Sequence, residues 1–300
     1  MTTVIMPATH PVSSSFSIAG YRDVDAASDQ WAYYGYLDSV AYAFRDVIDS
    51  GIEQLRLTPG QSVVDIGCGH GSAAALLARR VGRTGRVVGL DASQAMIAEA
   101  RRRCDAGDLR IDFEVGDAAA LPFADATFDA ARVDRVFMFL DDPAKALCEL
   151  MRITKPGGRV AVTEGDVGSH LIDAADTGTT REIMSALSDL SPNAWIGRRL
   201  RGMFLEAGLH DVDLQLAPVL TTSYAEWNNR MGVERFLPGA IERGILARES
   251  ACAWLEDIKA RDACGRFTGV AMLYTAVGTV ANAGKAIMSS QLAPVAAIRT

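Results

Sequence analysis

The chain has 300 residues, of which 49% are hydrophobic, which suits one large domain or a core with a cap. Its formal charge of −7 and its pI near 5.2 argue against a nucleic-acid partner, because phosphate binding requires net or clustered positive charge. The five cysteines are odd in number and form no C-x-x-C pair. This pattern favours a reducing cytoplasm over a disulfide framework or a zinc site.

The N-terminal part of the chain divides into a tail and a helical segment. Residues 1–18 are rich in Ser, Thr and Pro, and we expect a flexible tail without the basic region of a secretory signal. Residues 19–57 have a helical pattern with bunched aromatic residues, and we expect a lid. The sequence leaves open whether these rings only pack onto the domain or also cover a site. Tyr33 and Tyr34 are therefore candidate substrate contacts.

The stretch Val63–Ser93 has the pattern of a strand, a glycine-rich turn, a helix and a second strand. Asp65 stands just before the turn, and Asp91 ends the second strand about where a parallel α/β unit meets a ribose. Glycines lack a Cβ atom and so allow the chain to turn sharply under a ligand. The glycines of this turn are Gly67, Gly69 and Gly71.

Two cofactor classes fit such a unit, and the residues distinguish them. A dinucleotide fingerprint requires a third glycine where this chain has Ser72. A carboxylate just before the first glycine is unfavourable for a diphosphate but suits a cation. S-adenosylmethionine (SAM) carries a sulfonium and an ammonium group and no phosphate. The string V-D-I-G-C-G-H-G resembles motif I of the class I SAM-dependent methyltransferases, with Asp91 as the acidic residue after strand two.

Two later strings extend the resemblance. The string G-D-A-x-x-L-P-F, which begins at Gly116, is typical of the methyltransferase type 11 group, and so is K-P-G-G-R from Lys155. That group includes ubiquinone- and menaquinone-type C-methyltransferases. The resemblance implies that Asp117 meets the adenine amino group and that the backbone of Ala118 completes the contact. Many relatives carry a histidine near position 139, where this chain has Phe139.

The resemblance implies SAM as cofactor and S-adenosylhomocysteine as product. The expected cofactor contacts lie at strand ends and in the turns that follow them. They are Asp65, Gly67, Gly69, Gly71, Asp91, Ala92, Met96, Asp117, Ala118, Asp134 and Arg135.

The acceptor side of the site is predicted from strand ends and apolar residues. A neutral thioether leaving group needs no acid, whereas an acceptor hydroxyl needs a base. The candidate catalytic groups are Asp134, Glu164 and His170, at or just after the ends of strands four and five. Apolar residues around these groups indicate a hydrophobic or aromatic small molecule. The candidate substrate contacts are Tyr33, Tyr34, Phe137, Phe139 and Trp195. The sequence has no set of His and Asp residues at metal-ligand spacing, so it predicts no metal site.

The predicted fold is α/β, with a Rossmann-like, seven-stranded, mostly parallel sheet, an antiparallel last strand and helical lid and cap segments. We expect eight segments along the chain. The flexible tail is 1–18, the lid 19–57, the SAM-binding core 58–164, the cap insertion 165–197, the core helix with strand six 198–220, the helical insert 221–265, strand seven 266–282 and the C-terminal tail 283–300.

The sequence therefore predicts a cytoplasmic SAM-dependent methyltransferase that acts on a hydrophobic or aromatic small molecule, in secondary or quinone-like metabolism. We expect no nucleic-acid or membrane partner, and a homodimer is one option. Two alternatives stay open. One is a SAM-binding lyase or cyclase that transfers no methyl group, because no clear base is evident at the strand ends. The other is an NAD-dependent oxidoreductase, which Ser72 disfavours.

Overall fold

The fold is built on one mixed β-sheet. A computed structural model describes residues 24–105 and 110–282 of the chain, so the expected tails 1–18 and 283–300 and the start of the lid lie outside the described residues. The strands of the sheet are β1 (Ser62–Ile66), β2 (Arg86–Asp91), β3 (Ile111–Val115), β4 (Phe128–Asp134), β5 (Thr154–Gly165), β6 (Leu171–Ile172), β7 (His210–Thr221) and β8 (Gly269–Thr279).

The order of the strands confirms the predicted fold class. Strands β1 to β5 are parallel and lie in the order β3-β2-β1-β4-β5. The last strand, β8, runs antiparallel to β5 on one side and to β7 on the other. The two-residue β6 pairs with β8 beyond the end of β5 and adds a short eighth strand. The order reverses between β1 and β4, and ligands of such sheets bind at the carboxyl ends beside this reversal.

Ten helices in the described residues surround the sheet. They are α1 (Gln30–Ala43), α2 (Arg45–Gln54), α3 (Ser72–Val81), α4 (Gln94–Cys104), α5 (Pro143–Ile153), α6 (Thr177–Asp189), α7 (Ile196–Glu206), α8 (Tyr224–Met231), α9 (Val233–Glu242) and α10 (Arg248–Ala263). The ends of two core helices follow from their sequence. Ser93 caps α4, because its side chain accepts a hydrogen bond from the Met96 amide. Asp142, which comes just before Pro143, caps α5.

Apolar side chains cover both faces of the sheet, as expected for parallel strands. Val63 of β1 packs with α2 and α3 on one face, and its neighbour Val64 packs with α5 and α7 on the other. A third cluster joins α6 with α8, α9 and α10 around Trp227 and Trp254. The segments on either side of β7 thus form one helical cap with its own core. No helix among the described residues is long and apolar enough to cross a membrane.

Candidate active site

The carboxyl ends of the central strands open into a single cavity of about 980 Å³. One end, which we call the cofactor end, is bounded by the turns after β1, β2 and β3. The other, which we call the acceptor end, is bounded by α1, the segment 190–194 and the junction of α8 with α9. Asp134 and Arg135, at the tip of β4, also line the cavity. The cavity therefore joins the predicted cofactor residues to the lid and the cap.

The glycine turn after β1 is fixed by its backbone. Gly67 has a φ of +70°, and a Cβ atom at this position would lie 2.1 Å from Cγ2 of Val136. The amides of Gly67 and Cys68 both donate to the carbonyl oxygen of Leu90, at 2.7 and 3.0 Å. Gly69 has a φ of +52° and faces Cδ1 of Leu37, a residue of α1. The turn thus requires glycine both for its left-handed conformation and for close contact.

Asp91 holds the glycine turn to the start of α4. Its Oδ2 accepts a hydrogen bond from the Gly69 amide at 2.9 Å, and its Oδ1 accepts one from the Ser93 amide at 3.0 Å. Burial raises the pKa of Asp91, an effect that these two hydrogen bonds oppose. Each carboxylate oxygen can accept more than one hydrogen bond. Asp91 can therefore receive further donors from the cavity that it lines.

The remaining predicted cofactor residues lie close to this end. Asp117 is exposed, and its Oδ1 accepts a hydrogen bond from the Ala119 amide at 2.8 Å. Ala92 and Ala118 line the cavity with Asp117, and Met96 forms a buried part of its wall. The structure thus gathers ten of the eleven predicted cofactor residues around one cavity, and only Gly71 does not line it.

A chain of alternating charges crosses the tips of β1 and β4. Asp65 and Arg132 are register partners in these strands, which places their side chains next to each other. Arg132 donates to Asp65 Oδ1 at 2.8 Å and to Asp134 Oδ2 at 2.6 Å, and Arg135 donates to Asp134 Oδ1 at 2.7 Å. Sequence reasoning missed Arg132. The available signal was a charged residue inside an apolar strand, which is uncommon unless the charge is paired.

The pKa values of the two carboxylates in this network are shifted in opposite directions. Burial raises the pKa of Asp65 despite the attraction of Arg132. Asp65 Oδ2 is buried and has no hydrogen-bond partner among the described residues. Burial acts in the same direction on Asp134, but the charges of Arg135 and Arg132 outweigh it and lower the pKa. Asp134 is therefore a weak proton acceptor, although it lines the cavity as predicted.

Glu164, a predicted catalytic group, lies away from the cavity wall. It is fully buried, and its Oε1 accepts hydrogen bonds from the amides of Val136 and Phe137 at 2.8 and 2.6 Å. Burial raises its pKa to about 8. Its Oε2 is buried and has no hydrogen-bond partner among the described residues. This geometry revises the expectation from the sequence: Glu164 lies behind the cavity wall, and its Oε1 shapes the turn after β4.

His170, the third predicted catalytic group, lies on the cavity wall between the sheet and the cap. Its Nδ1 is buried and has no hydrogen-bond partner in the part of the chain that the structure describes. Burial lowers the pKa of His170 to about 4, so the imidazole is neutral at pH 7. A neutral imidazole has one ring nitrogen that can accept a proton.

Four of the five predicted substrate contacts lie off the cavity, and only Phe139 lines it. Tyr33 and Tyr34 are buried against Met96, and the Tyr34 hydroxyl donates to the Ala95 carbonyl at 3.2 Å. Phe137 is fully buried in the sheet core. We therefore revise these contacts: the aromatic residues that α1 and its C-terminal end direct to the cavity are Tyr36 and Phe44.

Trp195 also requires revision. Its side chain is 44% exposed, and its Nε1 donates to Ser188 Oγ at 2.6 Å. Arg198 stacks on its ring, with the guanidinium carbon 4.5 Å from the ring centroid. Its neighbours Asn193 and Ala194 line the cavity in its place. Asn193 donates to the carbonyl of Leu140 at 2.7 Å and so fixes the cap against the turn after β4.

Two aspartates that sequence reasoning missed attach the N-terminal segment to the cofactor end. Asp25 accepts hydrogen bonds from Ser93 Oγ at 2.7 Å and from the amides of Gln94 and Ala95, each at 2.9 Å. Although burial opposes it, this bonding lowers the pKa of Asp25.

The second of these aspartates, Asp38 on α1, accepts two hydrogen bonds from Arg103, the shorter at 2.6 Å, and lies 3.1 Å from Nε2 of His70. Helix α1 thus packs onto the domain through Tyr33 and Tyr34, and it lines the cavity through Leu37 and Val40.

Comparison with known proteins places the chain in a family. A family model described as Methyltransferase domain matches residues 64–162. Over 246 residues, the chain is 34% identical to an uncharacterized 37.1 kDa protein in transposon TN4556 of Streptomyces fradiae, covering 81% of this chain and 70% of that protein. A 2-phytyl-1,4-naphtoquinone methyltransferase of Thermosynechococcus vestitus is 42% identical over 113 residues, which are 38% of this chain and 50% of that enzyme.

The chain belongs to the class I SAM-dependent methyltransferases. The predicted family and the predicted cofactor, SAM, are both confirmed. Among solved structures, the YcgJ protein from Bacillus subtilis has the same fold, with a TM-score of 0.56, 19% identity and coverage of 79% of this methyltransferase and 99% of that chain. The alignment with the naphtoquinone enzyme spans only half of that enzyme's length.

Proposed function

We propose that this methyltransferase transfers the methyl group of SAM to an apolar, aromatic small molecule in the acceptor end of the cavity. One observation carries the proposal. A single cavity is bounded by the glycine turn and Asp91 at one end and by the aromatic side chains of Phe44 and Phe236 at the other. Cofactor and acceptor can therefore lie next to each other in a site largely enclosed by protein.

The residues at the cofactor end fit SAM. The glycine turn leaves room for a ligand above it, since Gly67 and Gly69 carry no side chains. Asp91 and Asp117 offer carboxylate oxygens for ribose hydroxyls and the adenine amino group. The buried Oδ2 of Asp65, which has no partner among the described residues, suits the ammonium group of the methionine portion. When bound, SAM supplies an electrophilic methyl group on a sulfonium.

The chain contributes enclosure and orientation. Leu37, Val40 and Phe44 cover the cavity from the α1 side, and Asn193 and Met231 bound it from the cap side. Enclosure of this kind excludes water and restricts the acceptor to few orientations, which together supply most of the rate enhancement in a displacement at carbon. We assign to His170 the acceptance of a proton from an acceptor hydroxyl, because its imidazole is neutral and lies on the cavity wall.

The relatives support an aromatic acceptor. The naphtoquinone methyltransferase is named for a quinone-type substrate, but its similarity to this chain covers only 38% of the chain. We therefore extend the quinone-like class to this protein as part of the proposal, together with a role in secondary or quinone-like metabolism. Phe139 and Phe236 on the cavity wall favour a planar ring in this position.

Isothermal titration calorimetry with S-adenosylhomocysteine tests the cofactor assignment. We expect the wild-type chain to bind this product and Asp91→Ala to lose measurable binding while it keeps a cooperative thermal transition. Asp112→Ala is the matched control, because Asp112 lies on β3 and is exposed, with its carboxylate on Arg86. Equal affinities for the wild type and Asp91→Ala would remove Asp91 from the cofactor site.

Methyl transfer itself is tested with SAM labelled in its methyl group and a panel of aromatic hydroxyl compounds. Label in the recovered acceptor supports transfer. Conversion of an acceptor with all of the label left on SAM favours the alternative of a SAM-binding lyase or cyclase. That alternative has one observation in its favour, the absence of a strong base among the described residues on the cavity wall, since Asp134 is ion-paired and the pKa of His170 is lowered.

A further inference from the structure

Three guanidinium groups converge on the acceptor end of the cavity. Arg135 follows β4, Arg230 lies on α8 and Arg235 lies on α9, and all three line the cavity. The guanidinium carbons of Arg135 and Arg230 are 5.1 and 5.8 Å from the ring centroid of Phe44. Burial raises the pKa of Tyr36, and the charges of all three guanidinium groups oppose this shift. We call Arg135, Arg230 and Arg235 the arginine cluster.

Two members of the cluster have carboxylate partners within the chain, and Asp141 and Asp142 line the same cavity at the turn after β4. Asp134 is shared between Arg132 and Arg135, and together with Asp65 these residues form a network of two positive and two negative charges. Arg230 donates to Thr221 at 2.7 Å and lies 3.1 Å from Glu226, whose side chain is 65% exposed. Solvent screens that pair.

Arg235 adds a further positive charge at the acceptor end. Partial burial lowers the pKa of Arg235, an effect that Tyr36 and Tyr33 oppose, and its Nη2 donates to the carbonyl oxygen of Asn229 at 3.5 Å.

The surroundings of the cluster are apolar. Val40, Phe44 and Phe236 line the same part of the cavity. Taking an anion into such a place is costly unless cations meet it, and a desolvated guanidinium likewise gains from an anionic partner. The planar fork of arginine matches the two oxygens of a carboxylate and also binds a phenolate. The cluster therefore provides what an anionic aromatic ligand requires.

We propose that the methyl acceptor carries an oxyanion, as a carboxylate or an ionised hydroxyl on an aromatic ring, and that Arg235 and Arg230 bind it. This inference rests on the proposed function, because it assigns a chemical class to the acceptor of the same cavity. It also relieves the shortage of bases at the site. Where the oxyanion is the hydroxyl that receives the methyl group, the guanidinium groups favour its ionised form, so that its proton leaves to solvent before transfer and the nucleophile needs less help from His170.

The test uses the full chain saturated with S-adenosylhomocysteine and two probes of the same shape, 2-naphthoate and 2-naphthamide. Calorimetry should show that the anion binds about tenfold more tightly, as expected for a charge-assisted hydrogen bond. Arg235→Gln should bring the two affinities within about twofold of each other. Arg243→Gln is the matched control, because Arg243 is exposed and lies just after the end of α9.

A second probe distinguishes the two sources of the oxyanion. The absorbance of 4-nitrophenol reports its ionisation, and a lowered apparent pKa on binding, reversed in Arg235→Gln, assigns the ionised hydroxyl. A naphthoate preference without that shift assigns the carboxylate. Equal affinities for naphthoate and naphthamide together with an unshifted nitrophenol overturn the inference. Loss of S-adenosylhomocysteine binding by the wild type would instead contradict the proposed function, so the two failures are distinguishable.

Discussion

The two ends of the cavity are built in different ways. The cofactor end is built largely of backbone groups, which are glycines with positive φ and two amides that donate to the Leu90 carbonyl oxygen. The side chain of Asp91 connects the glycine turn to the start of α4. The acceptor end is made of side chains from α1, the segment 190–194 and the α8–α9 junction. Backbone geometry tolerates little change, whereas a wall of side chains can be altered without loss of the fold. The comparison explains how one cofactor site can serve many acceptors.

Gly67→Ala at the cofactor end is expected to weaken cofactor binding strongly. The new Cβ would overlap Cγ2 of Val136 at 2.1 Å, and the φ of +70° strains any residue other than glycine. Overpacking costs about 1–3 kcal/mol, and the left-handed conformation about 1–2 kcal/mol more. We expect affinity for S-adenosylhomocysteine to fall by about 100-fold, measured by calorimetry. Gly202→Ala on α7, where nothing lies within 4 Å, should leave affinity unchanged.

Arg132→Leu tests the charge network between the two ends. It leaves Asp65 and Asp134 buried without their shared cation, and we expect the free energy of unfolding to fall by about 3–5 kcal/mol in urea denaturation. Arg86→Leu removes an exposed pair with Asp112 and should cost about 1 kcal/mol or less. Equal losses in the two variants would show that burial adds nothing to the value of the network.

Glu164→Gln tests the buried carboxyl behind the cavity through its pH dependence. Burial raises the pKa of Glu164 from 4.5 to about 8. Between these values the folded chain holds a proton that the unfolded chain has released, so this group lowers the free energy of unfolding as pH rises through the window. The variant should lack that decline. Urea midpoints of both proteins from pH 5 to pH 8 measure the difference, and a constant difference across the range would contradict the prediction.

The smallest effect is expected from Tyr34→Phe, on the face of α1 that points away from the acceptor end. The change removes one hydrogen bond, to the Ala95 carbonyl, and should cost about 1 kcal/mol of stability. Affinities for S-adenosylhomocysteine and 2-naphthoate should stay within about twofold of the wild type. Tyr36→Phe, on the cavity wall, should change the naphthoate affinity. The reverse pattern would return Tyr34 to the acceptor site.

The same contrast governs what could be predicted. The cofactor end lies within consecutive β-α units, so its residues stand in or next to motifs that can be read from the sequence. Of the five substrate contacts predicted for the acceptor end, only Phe139 lines the cavity. Helix α9 contains Pro238, a residue that interrupts a helical pattern, and yet this helix brings Arg235 to the cavity. Clustered aromatic residues on α1 likewise do not indicate which ring faces the site.

The sequence by itself determined the sheet, the cofactor class and the turn that carries Gly67, because these depend on local periodicity and on backbone that only glycine adopts. Only the tertiary structure decided that Glu164 faces the backbone, that Arg132 bridges two carboxylates and that Arg230 and Arg135 both lie over the ring of Phe44. Such contacts join residues far apart in the chain. Their partners depend on how helices pack on the sheet, which side-chain pattern alone does not specify.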